Sequence, residues 1–320
     1  MNKIGEDIFN NLKKKYKGEG EFKILFCPYK ETMFDSMASI VDTALKDSNT
    51  YTSIMPIPYF TLRNNVPYQS HIEFEEFKDN FPTALNNDWD CIVFHYPYDL
   101  QNNLTRPMLF SSELKRFCKH LVLVFYGCRG DREVREDEVL LTGVLNSDLI
   151  VYETQAQADR ATEIIKTYYP NWNGENVAWG TAKTDCLLDC KDEKVILDYK
   201  NIIKGRKVIL LQTSIVPLLN DNNKIDNIET IINKYIKDDS VCLIWRPHPL
   251  YRDTLIAHRP QFLERYDALV ERFKKSKKDI LDISKYPQSV ISIADEMISD
   301  MSSLVVMWKQ LKPSNKLTMF

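Results

Sequence analysis

A histidine and an arginine stand beside prolines where an apolar segment ends, in the residues LIWRPHPLY from Leu243 to Tyr251. Each proline fixes its own φ and biases the preceding residue away from the α region, so Arg246 and His248 are held in extended backbone. The guanidinium offers a planar fork of N–H donors and the imidazole one or two more, which suits an anionic phosphate. We therefore expect Arg246 and His248 to contact a phosphate; the alternative is a histidine in a turn beside a surface arginine.

A second candidate anion site lies in ADEMISDMSSLVVMWKQ, where Asp300 follows a short apolar run and Ser302 and Ser303 open a helical pattern. Hydroxyl groups and unpaired N–H groups at the start of a helix bind anions without a glycine-rich loop. The alternative is ordinary N-capping by Asp300 or Ser302. Thr213 and Ser214, at the end of another strand-like run, are further candidate binding residues.

The first half of the chain carries candidates of its own after strand-like runs. His95 and Asp99 lie in FHYPYD. A histidine near a carboxylate can act as a general base, because its unperturbed pKa lies near neutrality. We expect His95 to accept a proton, with Asp99 orienting it; a loop histidine bonded to backbone is an equal alternative. The other candidate substrate-binding residues of this half are Lys30, Asp35, Ser36, Lys183 and Asp185.

These residues need a scaffold, and the pattern of the chain predicts one. Short apolar runs alternate with longer amphipathic segments, as in parallel strands joined by helices. The predicted fold is α/β, with two Rossmann-like domains whose doubly wound parallel sheets face a cleft. A charged stretch without strand signals separates the two sets of runs and gives domains 1–190 and 191–320. Open α/β sheets bind ligands at the carboxyl ends of their strands, so the candidates should lie there.

The composition excludes several classes of protein. The chain has 320 residues, of which 44% are hydrophobic and 27% charged, with a net charge of -3. These values are typical of a globular protein and argue against nucleic acid as a partner. No apolar run approaches the roughly 20 residues needed to cross a bilayer, so we expect a cytosolic protein. The basic end of the N-terminal helical pattern could contact a membrane, but packing of this helix on its domain is favoured.

Cysteine and glycine usage narrows the chemistry further. The seven cysteines include no C-x-x-C pair, so reduced and mostly buried thiols are expected. No G-x-G-x-x-G or P-loop sequence occurs among the nine glycines, so a phosphate must be bound in another way. Cationic side chains are expected to bind the phosphate in place of a metal, and no cofactor is expected.

The two C-terminal motifs carry a resemblance. WRPHP followed by ADEMISDMSSL resembles the CDP-glycerol glycerophosphotransferase family, whose pattern is R-P-H-P and then D-x-x-x-S-D-x-S-S. ILFCPYKETMFDSM and FHYPYD resemble a bacterial subgroup of this family with a divergent N-terminal domain. The resemblance implies a GT-B-like fold, with an acceptor-side first domain and a second domain that holds the nucleotide.

The resemblance also implies roles for individual residues. Arg246 and His248 would contact the donor diphosphate, and Asp300, Ser302 and Ser303 would hold the phosphates or the cytidine side. Lys183 and Asp185 match part of the family's G-x-P-R-x-D pattern. Many members carry a histidine in W-H-G-T-P near the acceptor, whereas this chain has FYGCR with Tyr126 in its place, so His95 substitutes on position alone. Relatives normally continue past LKPSNKLTMF, so the second domain is expected to be shortened at its C-terminus.

The implied reaction is attack by a hydroxyl group on the β-phosphorus of a CDP-alcohol, which forms a phosphodiester and releases CMP. The acceptor would be a lipid-linked or cell-surface glycan precursor, and the protein would act in the cytoplasm with peripheral contact to the inner face of the cell membrane. Two alternatives remain open: a GT-B glycosyltransferase or epimerase that uses a sugar nucleotide, and a nucleotide-binding relative without turnover.

Overall fold

The computed structural model describes most of the chain, in the ranges 3–63, 66–71, 74, 88–99, 109–186 and 191–320. The chain divides into two compact units, Met1–Cys186 and Leu187–Phe320. Each unit contains a parallel sheet with helices, which confirms the predicted α/β class with two parallel-sheet domains. The predicted boundary between 190 and 191 borders residues 187–190, which lie outside the described residues.

The first unit is built on a six-stranded parallel sheet in the order β2-β1-β5-β6-β7-β8, with β3 and β4 as a separate antiparallel pair. All six residues of β5 are buried, as expected for a parallel sheet covered on both faces. The strands are β1 (Phe22–Cys27), β2 (Thr50–Ile54), β3 (Tyr59–Arg63), β4 (Val66–His71), β5 (Trp89–Phe94), β6 (Cys118–Val124), β7 (Leu149–Tyr152) and β8 (Glu175–Ala178).

Helices cover this sheet. The first of them buries Ile8, Phe9 and Leu12 in the unit's core, so its apolar face packs on the domain as the sequence favoured. The helices are α1 (Ile4–Tyr16), α2 (Ala38–Lys46), α3 (Ser111–Leu114), α4 (Glu136–Val139), α5 (Thr142–Asn146) and α6 (Gln155–Tyr168).

The second unit is built on a five-stranded parallel sheet in the order β11-β10-β9-β12-β13. The apolar runs RKVILLQTS, VCLIWRP, DILDIS and EMISD predict its first four strands in chain order, and the sequence pattern does not predict the fifth. The strands are β9 (Lys207–Thr213), β10 (Val241–Pro247), β11 (Ile280–Leu281), β12 (Glu296–Ser299) and β13 (Leu317–Met319). The helices are α7 (Glu193–Ile203), α8 (Ile215–Asn220), α9 (Lys224–Tyr235), α10 (Tyr251–His258), α11 (Leu263–Lys274), α12 (Pro287–Ile293) and α13 (Ser303–Leu311). No helix in the described part of the chain is long and apolar enough to span a bilayer.

Both sheets have a point where the strand order reverses direction, here called the switch point. In the second unit the chain runs from β9 outward to β11 and returns beside β9 as β12, so the switch point lies between β9 and β12. In the first unit it lies between β1 and β5. Open α/β folds leave a crevice for ligands at the carboxyl ends of these strands, so each switch point marks a candidate site.

Candidate functional site

Arg246 is fixed at the carboxyl end of β10. Its Nη1 donates to the carboxylate of Asp282 and to Ser284 Oγ at 3.2 Å, and its Nη2 donates to the carbonyl of Ser284 at 2.9 Å. Asp282 is fully buried and also accepts a hydrogen bond from the Tyr199 hydroxyl at 2.8 Å. These bonds hold the guanidinium in one plane, so its position is set before any ligand binds.

His248 lies half-buried in the turn after β10. Its backbone N–H donates to the carbonyl of Thr213 at 2.9 Å, which joins the turn to the end of β9. Its Nδ1 accepts the Leu250 backbone N–H at 3.1 Å, so a neutral ring carries its proton on Nε2 as a hydrogen-bond donor. Burial lowers the pKa of His248, the Arg246 charge lowers it further, and Asp300 opposes both. The ring is therefore neutral at pH 7.

The switch point of the second unit contains a buried ion pair. The carboxylate of Asp300 accepts the Ser214 backbone N–H at 3.0 Å and lies 3.0 Å from Lys224 Nζ. Both charged side chains are only 2% exposed. Lys224 was not identified from the sequence, because a lysine at the start of an amphipathic helix reads as a solvent-exposed residue.

The serines that follow β12 do not act as helix caps. Ser302 occupies the N-cap position of α13, but its hydroxyl donates to Gln212 Oε1 at 2.9 Å rather than to the helix. Ser299 donates to the same oxygen at 2.6 Å. The capping alternative for Ser302 is therefore wrong. Ser303 is partly exposed at the first position of α13.

Thr213 and Ser214 differ in what they present at the end of β9. Thr213 is fully buried, its hydroxyl accepts a long bond from the Trp245 indole at 3.4 Å, and its carbonyl holds the His248 turn. The Thr213 side chain supports the site from within, and its expected ligand contact stays a prediction. Ser214 is also buried, and its hydroxyl donates to the carbonyl of Met301 at 3.2 Å.

A pocket of about 610 Å³ adjoins Arg246 and His248. Its apolar lining is formed by Pro247, Pro249, Val270, Leu281 and Ile283. Two ion pairs also line the pocket. Arg252 Nη2 lies 2.8 Å from Asp267 Oδ2, and Lys274 Nζ lies 2.8 Å from Glu271 Oε1, so each cation is neutralised by its own carboxylate. The volume lies within the range of about 300–1,000 Å³ that is typical of small-molecule sites. No sequence pattern indicated the α11 side of this pocket, because its residues form an ordinary amphipathic helix.

His95 lies at the switch point of the first unit and is fully buried. Its Nε2 accepts the Tyr29 backbone N–H at 2.8 Å, and its Nδ1 lies 2.9 Å from Ser36 Oγ. The Ser36 hydroxyl itself donates to the carbonyl of Met33 at 2.8 Å, so the imidazole proton sits on Nδ1 and is donated to Ser36. The Asp99 carboxylate accepts the Ser111 backbone N–H at 2.9 Å, and its expected role in orienting His95 stays a prediction.

The remaining first-unit candidates form two separate groups. Lys183 Nζ lies 2.6 Å from both carboxylate oxygens of Asp35, and both side chains are largely buried. Lys30 Nζ lies 4.3 Å from the centre of the Tyr59 ring. One member of each contact, Lys30 or Asp35, lies in the segment that follows β1.

Asp185 holds the start of the first helix. Its carboxylate accepts the backbone N–H groups of Ile4 at 2.9 Å and Gly5 at 2.7 Å, and the Ser39 hydroxyl at 2.7 Å. A carboxylate at the N-terminus of a helix is stabilising. These oxygens satisfy the backbone of α1, and the expected contact of Asp185 with substrate stays a prediction.

Aromatic rings gather at the carboxyl edge of the first sheet. Tyr29 and Tyr96 stack with centroids 4.0 Å apart, and Tyr126 lies 6.1 Å from Tyr96 and 6.5 Å from Tyr98. Burial and the neighbouring Tyr98 raise the pKa of Tyr126 well above its usual value. Its hydroxyl therefore stays protonated at neutral pH and is a poor proton acceptor.

The thiols agree with the sequence-based expectation where they are described. Cys91, Cys128 and Cys242 are free and buried, and Cys27 is buried, whereas Cys190 lies outside the described residues. In the described part of the chain, no group of three or more histidine, cysteine, aspartate or glutamate side chains is arranged to hold a metal ion.

No protein-family model matches the sequence, and a search of curated proteins finds no match. Among solved structures, UDP-GlcNAc 2-epimerase from Methanocaldococcus jannaschii in complex with UDP-GlcNAc and UDP has a TM-score of 0.57 at 13% identity, over 93% of this chain and 89% of that chain. UDP-GlcNAc 2-epimerase from Neisseria meningitidis bound to UDP-GlcNAc has a TM-score of 0.53 at 13% identity, over 88% of this chain and 79% of that chain.

A structure of the wall teichoic acid polymerase TagF has a TM-score of 0.43 at 14% identity, over 99% of this chain and 74% of that chain. That score is too low to support an argument. The epimerase matches show that the chain shares the two-domain GT-B-like fold, and identities this low show the fold alone. The likeness to the CDP-glycerol family thus remains a resemblance carried by its motifs.

Proposed function

We propose that the protein is a transferase that moves glycerol phosphate, or a similar polyol phosphate, from a CDP-alcohol to a hydroxyl group of a cell-surface polymer or glycan precursor. The observation that carries the proposal is the pairing of Arg246 and His248 beside a ligand-sized pocket. The diphosphate would lie against these two side chains and the cytidine in the pocket. The R-P-H-P and S-D-x-S-S motifs favour this donor over others.

In the proposed reaction, the acceptor oxygen attacks the β-phosphorus, the bond from that phosphorus to the bridging oxygen breaks, and CMP leaves. Catalysis of this kind rests on positioning and on stabilisation of charge. Arg246 would neutralise charge on the leaving CMP, and His248 would donate its Nε2–H to a phosphate oxygen. The fixed guanidinium needs little reorganisation when the donor binds.

The acceptor proton would pass to His95, as proposed from its position in the sequence. Both ring nitrogens of His95 are engaged, with Tyr29 and Ser36, so Nε2 would have to exchange the Tyr29 N–H for the acceptor hydroxyl. Lys30, Asp35 and Lys183 are proposed to lie on the acceptor side. A lipid-linked acceptor would bring the protein to the inner face of the cell membrane.

A second candidate function is an epimerase or glycosyltransferase that uses a sugar nucleotide. It is favoured by the two epimerase structures of similar fold, which contain bound UDP-GlcNAc. A third, a nucleotide-binding protein without turnover, is favoured by the buried state of His95 and by the protonated Tyr126.

Calorimetry with CDP-glycerol, UDP-GlcNAc and CMP separates these functions. We expect CDP-glycerol to bind the wild type, and His248→Ala to weaken it about tenfold or more, because a hydrogen bond to a charged group contributes about 1.5–3 kcal/mol. His258→Ala, which removes an exposed histidine from the same unit, should leave the affinity unchanged.

Exclusive binding of UDP-GlcNAc would transfer the proposal to the sugar-nucleotide function. CDP-glycerol bound equally by wild type and His248→Ala would overturn the role of the R-P-H-P motif. Donor binding without CMP release, across glycerol- and ribitol-type acceptors, would favour the protein without turnover.

A further inference from the structure

Burial of the Lys224–Asp300 pair costs the fold free energy. Removing two charges from water costs several kcal/mol per ion, and a buried pair often contributes little net stability. Lys224 is also the first residue of α9, where the positive end of the helix dipole disfavours a cation. The Phe320 ring lies 3.7 Å from Lys224 Nζ and adds to its enclosure.

The position of the pair in the fold suggests a function. Asp300 follows β12 and bonds to Ser214, which follows β9, so the pair occupies the switch point of the second sheet. Ligands of open α/β folds bind in the crevice at this point, and phosphates bind there at helix starts. A carboxylate would repel such a ligand unless its charge were cancelled.

The charge of Asp300 reaches the proposed donor site. Asp300 acts electrostatically on His248, whose pKa it raises against the larger effects of burial and Arg246. Arg246, the other cation at this edge, is already paired with Asp282. Asp300 therefore needs a cation of its own, and Lys224 supplies it.

We infer that Lys224 sets the charge of the donor site: it neutralises Asp300, which is needed to hold the β9–α8 turn, so that an anionic phosphate can approach the start of α13. This inference rests on the proposed function for the identity of the donor. Lys224 is 2% exposed and acts on the ligand through Asp300 rather than by contact.

The inference predicts opposite effects on anion binding from the two halves of one ion pair. Lys224→Met leaves the carboxylate uncompensated, so the Kd for CDP-glycerol and for inorganic pyrophosphate should rise about tenfold or more, which is the effect of one like charge partly screened by the protein. Asp300→Asn leaves the cation uncompensated, so the same Kd values should stay unchanged or fall. Both variants should have a lower Tm, because each leaves one buried charge unpaired.

If the pair were purely structural, Asp300→Asn would raise the Kd instead of leaving it unchanged or lowering it. Both variants would then bind anions more weakly, in proportion to their loss of Tm. Titration calorimetry well below the lowest Tm distinguishes the two cases. Lys207→Met is the matched control, because Lys207 pairs with Glu296 at 2.5 Å across the same two strands but at their amino ends. Its anion affinity should equal that of the wild type.

The double variant Lys224→Met with Asp300→Asn covers the case in which Lys224→Met does not fold. It should bind anions more weakly than Asp300→Asn alone, because it has lost the cation. Weaker binding by Asp300→Asn than by wild type, or equal binding by Asp300→Asn and the double variant, would overturn the inference.

The two probes separate this inference from the proposed function. Binding of pyrophosphate but not of CDP-glycerol to the wild type would overturn the proposed donor, and the variants would still decide the role of Lys224. Binding of neither probe would overturn both.

Discussion

The two switch points of this protein have the same topological position and different chemistry. In the first unit, the fully buried ring of His95 joins the ends of β1 and β5 through hydrogen bonds to Tyr29 and Ser36. In the second unit, the ends of β9 and β12 are joined by the carboxylate of Asp300, paired with Lys224. The strand ends at the first switch point are thus joined by a neutral imidazole with aromatic neighbours, and those at the second by a pair of charged side chains.

This difference in charge means that the two switch points would act differently on an uncharged ligand and on an anion. A neutral hydrogen-bonded closure exerts little field on a ligand, so an uncharged hydroxyl can approach it. Charged groups at a buried edge of low dielectric constant act strongly on an anion. Whether their net effect attracts or repels the anion depends on both members of the ion pair being present. We therefore expect substitutions at the carboxyl edge of the second sheet, here called the second edge, to alter stability and anion binding most. Substitutions at the carboxyl edge of the first sheet, the first edge, should alter turnover.

The largest expected effect is at the second edge, in Asp282→Asn. The change leaves the guanidinium of Arg246 buried without a counter-charge, and the free energy of unfolding should fall by about 3–5 kcal/mol. Urea denaturation measures it. Asp267→Asn is the matched control, because it removes the partner of the exposed Arg252 and should cost about 1 kcal/mol or less. Equal losses from the two variants would mean that Arg246 finds another partner.

An intermediate effect is expected at the first edge, in His95→Gln. Loss of the two ring contacts should lower the free energy of unfolding by about 1–3 kcal/mol. If His95 accepts the acceptor proton, CMP release from CDP-glycerol should fall about a hundredfold while the donor Kd is kept. Turnover that survives the change would make His95 a neutral structural closure, with Asp35 or Asp99 as the next candidate base.

The smallest expected effect is a proton taken up by His248 on donor binding. Burial and Arg246 lower the pKa of the ring in the free protein, and an anionic diphosphate should raise it. Binding near pH 6 should therefore take up less than about one proton per donor, and affinity should rise as the pH falls below about 6.5.

Calorimetry in two buffers of different ionisation enthalpy measures this uptake, and His248→Ala should abolish it. The sign for stability is opposite. Because the folded pKa of His248 lies below the unfolded value, its contribution to stability is present above about pH 6.5 and is lost as the pH falls. Equal binding heats in both buffers would mean that the ring does not titrate on binding.

The sequence predicted those strands and helices whose formation depends on residues adjacent in the chain. Periodicity and prolines predict the strand VCLIWRP, which is β10, and a helix from 155 to 168, which is α6. The sequence pattern does not predict the β3–β4 pair, because YTSIMPIPY reads as a single strand. Pro56 and Pro58 cannot donate ladder hydrogen bonds, and the chain leaves the sheet after Ile54 and enters a separate pair at Tyr59.

The partners that define the candidate site could not be predicted, because they come from distant parts of the chain. Asp282, Lys224 and Ser36 each meet their partner only after the sheets are assembled. Their residue types are ordinary for loops and helix starts, so no local pattern distinguishes them. Periodicity places a residue at a strand end, but it does not say whether that residue faces a ligand or another side chain.

The bond from Asp185 to the start of α1 also sets the order in which the first unit can mature. The Ile4 amide and its acceptor are 181 positions apart. At about 5–20 residues per second of synthesis, α1 waits on the order of ten seconds or more before the carboxylate that fixes it emerges. During this interval Ile8, Phe9 and Leu12 have no completed core to enter. Within the first unit, α1 is made before the other described helices, and its N-terminal N–H groups are among the last to find their acceptor.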